Sequence, residues 1–295
     1  MNNWAPGQIT MFFSPKYREN PLKTGSLGGA FTIEEGISAK IFQKNINGDE
    51  IYFNSQLLEN GPSLDVIEII RKQSNKKIPF IEVIQKGSLP MSAGLSTSGA
   101  GALATARAIN EEFELGFSEI QLGQFAHLAE LKNYTGLGSV LTQFHTGILI
   151  RSIAGAPGYG KVVKLDLPPK KFRNVLILSW GGLSTSKILR DKEKMKKIYE
   201  LGELFTKEAI KKADLETLFS LGEQFTKQCG LASGNVLYVL NRISRDELIG
   251  SGMAMLGETM YFVGSMNALN KIMMEFDAPF SLLTKIYERN LNSSF

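Results

Sequence analysis

The sequence predicts an α+β protein, and three observations carry that reading. Strand-like and helix-like runs are mixed along the chain without the regular strand–helix alternation of a doubly wound sheet. The chain is 295 residues long, ample for a sizeable core. Its composition, 43% hydrophobic and 21% charged, is that of a globular protein. No repeat, low-complexity tract or linker interrupts it. The expectation is two lobes sharing a cleft, an N-terminal lobe over 1–160 and a C-terminal lobe over 161–295.

Residues 4–53 hold β-rich runs, "ITMFF", "GGAFTIEEGISAKIF" and "EIYF", with a turn signal "NGD" at 47–49. Residues 63–74 have helical spacing, with Ser63 as the expected N-cap. "PFIEVIQKGSLP" alternates as a strand and leads into a glycine-rich stretch. Helices are expected from Ser98 to Glu112 and from Ser118 to Lys132. "NYTGLGSVLTQFHTGILIRSIAG" reads as a loop, a short helix and a strand, and "KVVKLDLP" and "NVLILSW" as further strands. Helical segments follow over 187–212, 214–228 and 236–241. "GMAMLGETMYFVG" is a strand pair around a turn, and 265–290 read as a helix, a break near Pro279 and a further helix.

The bulk numbers exclude several classes. A net charge of +4, with Lys and Arg dispersed, makes nucleic acid unnecessary as a partner and suits an anionic small substrate. A lone cysteine, Cys229, forms no internal disulfide and favours a reducing cytoplasm. The opening "MNNWAPGQITMFF" lacks the pattern of a signal peptide, and no apolar run reaches the ~18 residues of a membrane span. The expected location is cytoplasmic, with no membrane partner.

"LPMSAGLSTSGAGALATARAINEEF", Leu89 to Phe113, gathers small residues and hydroxyls directly before a helix. A helix N-terminus has unpaired N–H groups and the positive end of the dipole, which attract phosphate. Glycines at 94, 99 and 101 let a ligand approach the backbone. Ser96, Thr97 and Ser98 offer hydroxyls to phosphate or Mg²⁺. The loop has no Walker lysine and no Rossmann spacing. On composition alone a phosphate loop and a tight packing turn both stand.

The stretch resembles the phosphate loop of the GHMP kinases, whose pattern is P-x-x-x-G-L-[GS]-S-S-[AG]. Pro90, Gly94, Leu95, Ser96 and Ser98 match it, and Thr97 replaces a serine. Within that family "APGQITMFFSPKYRENPLKTGSLGGAF" is most similar to the archaeal pantoate kinases, through Pro6, Gly7, Ile9, Thr10, Phe12, Phe13 and Leu22 to Ser26. "AHLAELKNYTGLGSV", "ILIRSIAGAPGYGKV", "STSKILRD" and "SGMAMLGETMYF" extend the resemblance from residue 5 to about 262. It implies a two-lobed fold with ATP and substrate in the cleft, and transfer of the ATP γ-phosphate to a small-molecule hydroxyl. It implies that Pro90, Gly94, Leu95, Ser96, Thr97, Ser98, Gly99 and Gly101 form the ATP site.

The other candidates follow from the same resemblance. Lys23, among the turn residues of "NPLKTGS", is a cation for a carboxylate or phosphate, with Thr24 and Ser26 as hydrogen-bond donors. Glu130 stands where the family places a glutamate, and with Ser98 it would ligate Mg²⁺, a hard ion that needs few protein ligands. His127 is either a structural histidine or a substrate contact, and Arg151 either a surface ion pair or a partner for the substrate carboxylate. "GGLSTSKILRD", 181–191, carries hydroxyls that cap a helix or reach substrate. "GSGMAMLGETMYF" occupies the place of the family's third glycine-rich motif, with Met253 and Met255 read as core filler.

Ser139 in "TGLGSV" is the chief departure, since related sequences carry an aspartate there, as base or orienting carboxylate. A base is typically worth 10²–10⁴-fold, yet phosphoryl transfer depends mainly on positioning and charge neutralisation. Ser139, hydrogen-bonded to the acceptor hydroxyl, is therefore kept with Lys23 as a catalytic candidate. The resulting expectation is a magnesium-dependent kinase acting on pantoate with ATP, in the dimeric state common among such kinases. Two alternatives stay open: a homoserine- or mevalonate-type GHMP kinase, and a nucleotide- or metabolite-binding paralogue that no longer catalyses.

Overall fold

The computed structural model describes residues 3–43, 47–182, 188 and 191–289. Two antiparallel strands, β1 (Trp4–Lys16) and β2 (Gly25–Gln43), form a long hairpin at its centre. The hairpin belongs to a seven-stranded sheet with β3 (Glu50–Phe53), β4 (Gln56–Leu57), β5 (Ile81–Lys86), β6 (Ile148–Ile153) and β7 (Lys161–Leu165). The order is β4-β3-β5-β2-β6-β7, with β1 pairing β2, and β3–β5 is parallel. A second sheet, in the order β11-β8-β10-β9, is antiparallel throughout. It is built from β8 (Asn174–Gly182), β9 (Leu248–Met253), β10 (Gly257–Gly264) and β11 (Phe280–Lys285).

Each long strand of the hairpin serves two cores. Ala5, Ile37 and Ala39 pack with α1 (Pro62–Gln73), α2 (Thr97–Glu112) and α3 (Glu119–Asn133). Ile9, Met11, Phe12, Phe13, Phe31 and Ile33 pack instead with the second sheet and its helices. Those helices are α5 (Lys192–Lys212), α6 (Leu215–Gln228), α7 (Gly234–Arg242) and α8 (Met266–Glu275). A one-turn-plus helix, α4 (Ser139–His145), precedes β6.

Helix α2 is buried on every face from Gly99 to Asn110, the pattern of a core helix rather than a surface one. Its alanines let α1, α3 and β2 approach it closely. The result is that its N-terminus, with its unpaired N–H groups, opens into the space between the two sheets' connections. Two bulges in β1, at Pro6/Gln8 and Thr10/Phe12, re-aim Gln8 and Thr10 toward the same space.

Two expectations are corrected. Ser63 is not the cap of α1: Gly61 holds that position, Pro62 opens the helix, and the Ser63 hydroxyl accepts a 2.9 Å hydrogen bond from Gln85 Nε2. The helix expected after Pro279 is the strand β11, because an edge of β8 is free to pair with Phe280–Lys285. The chain then ties back to the first sheet. Tyr287 N donates to Thr32 O, Gly147 N donates to Tyr287 O, and Arg289 N donates to Thr146 Oγ1.

Candidate active site

The loop from Pro90 to Ser96 runs from β5 to α2, over a cavity of about 470 Å³. Gly94 has φ +77°, and a Cβ there would sit 2.7 Å from Ala254 O, so the loop is seated on the β9–β10 turn. Gly182 at the end of β8 presses likewise on Ser92, where a Cβ would meet the Ser92 Cβ at 2.7 Å. Met255 N donates to Thr10 O at 3.0 Å, joining that turn to β1. The third glycine-rich stretch thus braces the loop. Met253 is core, while Met255 is buried yet contributes to the cavity wall.

Ser96 takes the left-handed conformation, φ 55° and ψ 39°, as it starts α2. Two buried glutamines hold it there. Gln8 Nε2 donates to Ser96 Oγ at 2.5 Å, and Gln143 Nε2 donates to Ser96 O at 3.0 Å. Gly94, Ser96, Thr97 and Ser98 line the cavity. Pro90, Leu95, Gly99 and Gly101 do not; Leu95 is core, and the last two glycines admit polar neighbours. A Cβ on Gly99 would lie 2.8 Å from Gln143 Oε1, and one on Gly101 would lie 3.1 Å from Gln85 Oε1 and Ser63 Oγ.

Glu130, near the end of α3, is 1% exposed and has no basic partner among the described residues. Three hydroxyls serve it instead. Thr135 Oγ1 donates to Oε1 at 2.7 Å, Ser139 Oγ donates to Oε2 at 2.8 Å, and Ser98 adds a third bond. Burial pushes its carboxyl up from the ordinary value, and the three hydroxyl bonds only partly oppose this. Gly136 passes so close that a Cβ would collide with Oε2 and with Ser139 Oγ.

The donor set is what a hard divalent cation takes: one carboxylate and hydroxyls of Ser98 and Thr135 beside the glycine-rich loop. The orphaned Gln143 Oε1, buried without a hydrogen-bond partner, adds to the acceptor character of this corner. These residues fit Mg²⁺. Among the described residues no cluster of three His, Cys, Asp or Glu could hold a metal by itself, so phosphate oxygens and water would complete such a site.

Arg151 on β6 is 1% exposed and lies in the cavity wall. Its Nε donates to Ser26 O at 3.3 Å and its Nη1 to Thr142 Oγ1 at 3.0 Å. No carboxylate pairs with it among the described residues. Burial lowers its pKa to about 10, which leaves it charged at neutral pH. Ser26, 3% exposed, lines the same wall.

The remaining candidates lie elsewhere. Lys23 is exposed, at the end of a short 3₁₀ turn (Pro21–Lys23), and does not line the cavity. Thr24 is buried and spends its hydroxyl locally, accepting from Arg18 N at 2.9 Å and donating to Arg18 O at 3.0 Å. His127, 1% exposed, sits beneath that turn with Nε2 2.9 Å from Thr24 O. Burial drives its pKa down to about 4, against the opposing carbonyls of Thr24 and Pro21. It is a neutral strut for the turn that leads to Ser26. In "GGLSTSKILRD", Leu183–Lys187, Leu189 and Arg190 lie outside the described residues, while Asp191 caps α5 by accepting from Lys194 N at 3.2 Å.

Gln8, Asn60, Gln85, Asn133 and Thr135, none of them a site candidate in the sequence, also line the cavity, as does Thr10. Gln8 was readable in principle: it is a polar residue inside the apolar strand "GQITMFF", sharing a face with Thr10. Ile51, Phe53, Leu58 and Leu64 give part of the cavity an apolar lining.

Comparison with known proteins identifies what the chain is similar to. Residues 63–147 match the family model "GHMP kinases N terminal domain". The chain is 30% identical to the pantoate kinase of Methanocaldococcus jannaschii over 90% of its own length and 93% of that protein's. It is 30% identical to the pantoate kinase of Thermococcus kodakarensis over 88% and 85%. A solved structure described as a phosphotransferase related to the CoA biosynthesis pathway superposes with a TM-score of 0.84 at 26% identity, covering 97% of this chain and 95% of that one.

Proposed function

The chain belongs to the GHMP kinase family, within its pantoate kinases, and on that premise we propose that it transfers the γ-phosphoryl group of ATP to the primary hydroxyl of pantoate. The single observation that carries the reading is Arg151. A buried guanidinium with no carboxylate partner among the described residues, in the wall of the cavity that the glycine-rich loop also lines, asks for a small anion. Pantoate brings a carboxylate at one end and a hydroxyl at the other.

In this reading the loop from Gly94 to Gly101 receives the ATP phosphates at the N-terminus of α2. Ser98 and Glu130, with Thr135, are the residues that would hold Mg²⁺, which supplies neutralisation of phosphate charge when bound. Arg151, rather than the exposed Lys23, receives the pantoate carboxylate, and Ser26 flanks it. The division into lobes 1–160 and 161–295 belongs to the same reading, with β7 the segment of the second that pairs into the first sheet.

The hydroxyl oxygen of pantoate forms a bond to the γ-phosphorus while the bridging β–γ P–O bond breaks, and ADP leaves with that electron pair. As the bond forms, the hydroxyl proton passes to a non-bridging oxygen of the transferred phosphoryl group, which leaves as the phosphomonoester. Ser139 directs its own proton to Glu130, which leaves its oxygen lone pairs to accept from the incoming hydroxyl and orient it. A loose transition state places little charge on the nucleophile, so orientation can stand in for the absent aspartate. The apolar part of the cavity lining, with Ile51 and Phe53, suits the nucleotide base. No helix among the described residues is long and apolar enough to cross a membrane, in keeping with a cytoplasmic enzyme.

The test is ADP release, coupled to a dehydrogenase readout, with pantoate, homoserine and mevalonate offered separately. Turnover of pantoate alone is expected. Turnover of either other acceptor without pantoate would remove the substrate assignment and spare the family. ATP and pantoate binding without any turnover would favour a non-catalytic paralogue.

A further inference from the structure

Thr142 stands one turn into α4, fully buried, and its side chain carries two hydrogen bonds of opposite sense. Its Oγ1 donates to Gly138 O, four residues earlier, at 3.2 Å. With that proton committed, the lone pairs remain to accept from Arg151 Nη1 at 3.0 Å. The hydroxyl is therefore oriented by the helix and in turn orients the guanidinium.

The cluster around it is tight. A Cβ on Gly138 would lie 2.7 Å from Arg151 Nε, so the guanidinium is laid directly against the start of α4. Ser26 O takes the Nε proton on the other side. Nη2 makes no hydrogen bond among the described residues and is not sealed from the cavity. Two of the five guanidinium N–H groups are thus held by neutral acceptors. The rest of the fork is left toward the cavity with its charge undiminished.

A carboxylate at position 142 would also hold the arginine, but it would cancel the charge that attracts an anion. A valine would fill the same volume and hold nothing. Threonine is the choice that fixes direction while preserving charge. It also ties Arg151 to Gly138, the residue immediately before Ser139. One side chain thereby fixes the anion anchor relative to the turn that faces Glu130.

We propose that Thr142 is a positioning residue for substrate binding, setting the direction of the Arg151 fork and so the register between the carboxylate and the phosphoryl-accepting ends of a hydroxy acid. The inference rests on the assignment of pantoate to this cavity. Thr142 itself need not touch substrate, and its effect passes through Arg151.

The experiment measures steady-state kinetics of T142V and T142S against wild type, with pantoate and with its uncharged amide. T142V is expected to raise KM for pantoate about tenfold, a size typical of one lost hydrogen bond to a charged group, with kcat and the KM for ATP within about twofold. T142S keeps the hydroxyl and is expected to restore KM to near the wild-type value. With the amide, which has no charge for Arg151, wild type and T142V should be alike. If T142V does not fold, T142A is read in the same way. An unchanged pantoate KM in T142V, or an equal loss with the amide, would overturn the proposal. If wild type itself ignores pantoate, the substrate reading fails first, and that outcome is separate.

Discussion

Ser139 donates its hydroxyl proton to Oε2 of Glu130 across 2.8 Å, in the wall of the cavity that the glycine-rich loop also lines. The residue that stands where the family resemblance implies an aspartate is therefore bonded to a neighbouring carboxylate. An S139D variant would set a second buried carboxylate against the first, an arrangement that disfavours ionisation of both. Without divalent cation its Tm should fall below that of wild type, and excess Mg²⁺ should recover part of the loss. Its kcat should change by less than about tenfold, because positioning dominates a loose transition state. A rise of a hundredfold, the scale of base catalysis, would show that the proton step limits the wild type.

Gly136 is where that pair is protected. A side chain there would collide with both Glu130 and Ser139, and the neighbours are held by hydrogen bonds rather than free to move. G136A should cost roughly 2–4 kcal/mol in denaturant unfolding, in the upper range for overpacking, and should abolish turnover. G234A is the contrast. Nothing lies within 4 Å of a Cβ at Gly234, at the start of α7, so that variant should be neutral or slightly stabilising.

Arg151 separates binding from stability. R151M removes the cation offered to the carboxylate, so KM for pantoate should rise at least about a hundredfold, the scale of a lost charge-assisted pair. Its folding stability should change little or increase, because a buried cation without a carboxylate partner is costly to desolvate. Thermal melts of R151M and wild type, run beside the kinetics, read both effects. A large loss of stability with unchanged KM would place the arginine in a purely structural role.

His127 sets a pH dependence. Its folded pKa is about 4, below the ordinary 6.5, so between those values the unfolded chain binds the proton and the native one does not. Its contribution is fully present above pH 6.5 and is lost as pH falls toward 4, amounting to at most about 3 kcal/mol. Denaturant unfolding of wild type should weaken over that window, and H127Q should show a shallower decline. Equal slopes in both proteins would count against the assignment.

Much of this was legible in the sequence, for physical reasons. The glycine-rich loop announces itself because close backbone approach needs glycines at fixed offsets, and Gly94 and Gly99 sit where a Cβ would collide. The β-rich runs of residues 4–53 and the helix α2 follow from periodicity and alanine content, whereas the pairing of β1 with β2 as one long hairpin is a structural finding. Other features depend on contacts distant in sequence. Ser63 resembles a cap until Gln85, 22 residues later, claims its hydroxyl. Phe280–Lys285 becomes a strand because β8 offers an edge, a tertiary fact that local pattern does not hold. Lys23 is exposed and Arg151 buried, although both read as candidate cations in sequence. Gln143, which clamps Ser96 together with Gln8, carries no signal in the sequence, since an amide on a helix declares nothing until its partner is placed.

The central claim is tested most directly by the identity of the product. Phosphorus NMR of a reaction containing the protein, ATP, Mg²⁺ and pantoate should show ADP and one new phosphomonoester resonance. Coupling to the two protons of the adjacent methylene splits that resonance into a triplet and places the phosphate on the primary hydroxyl. A doublet would put it on the secondary hydroxyl. ADP appearing with inorganic phosphate alone, or no change in the ATP resonances, would contradict the account.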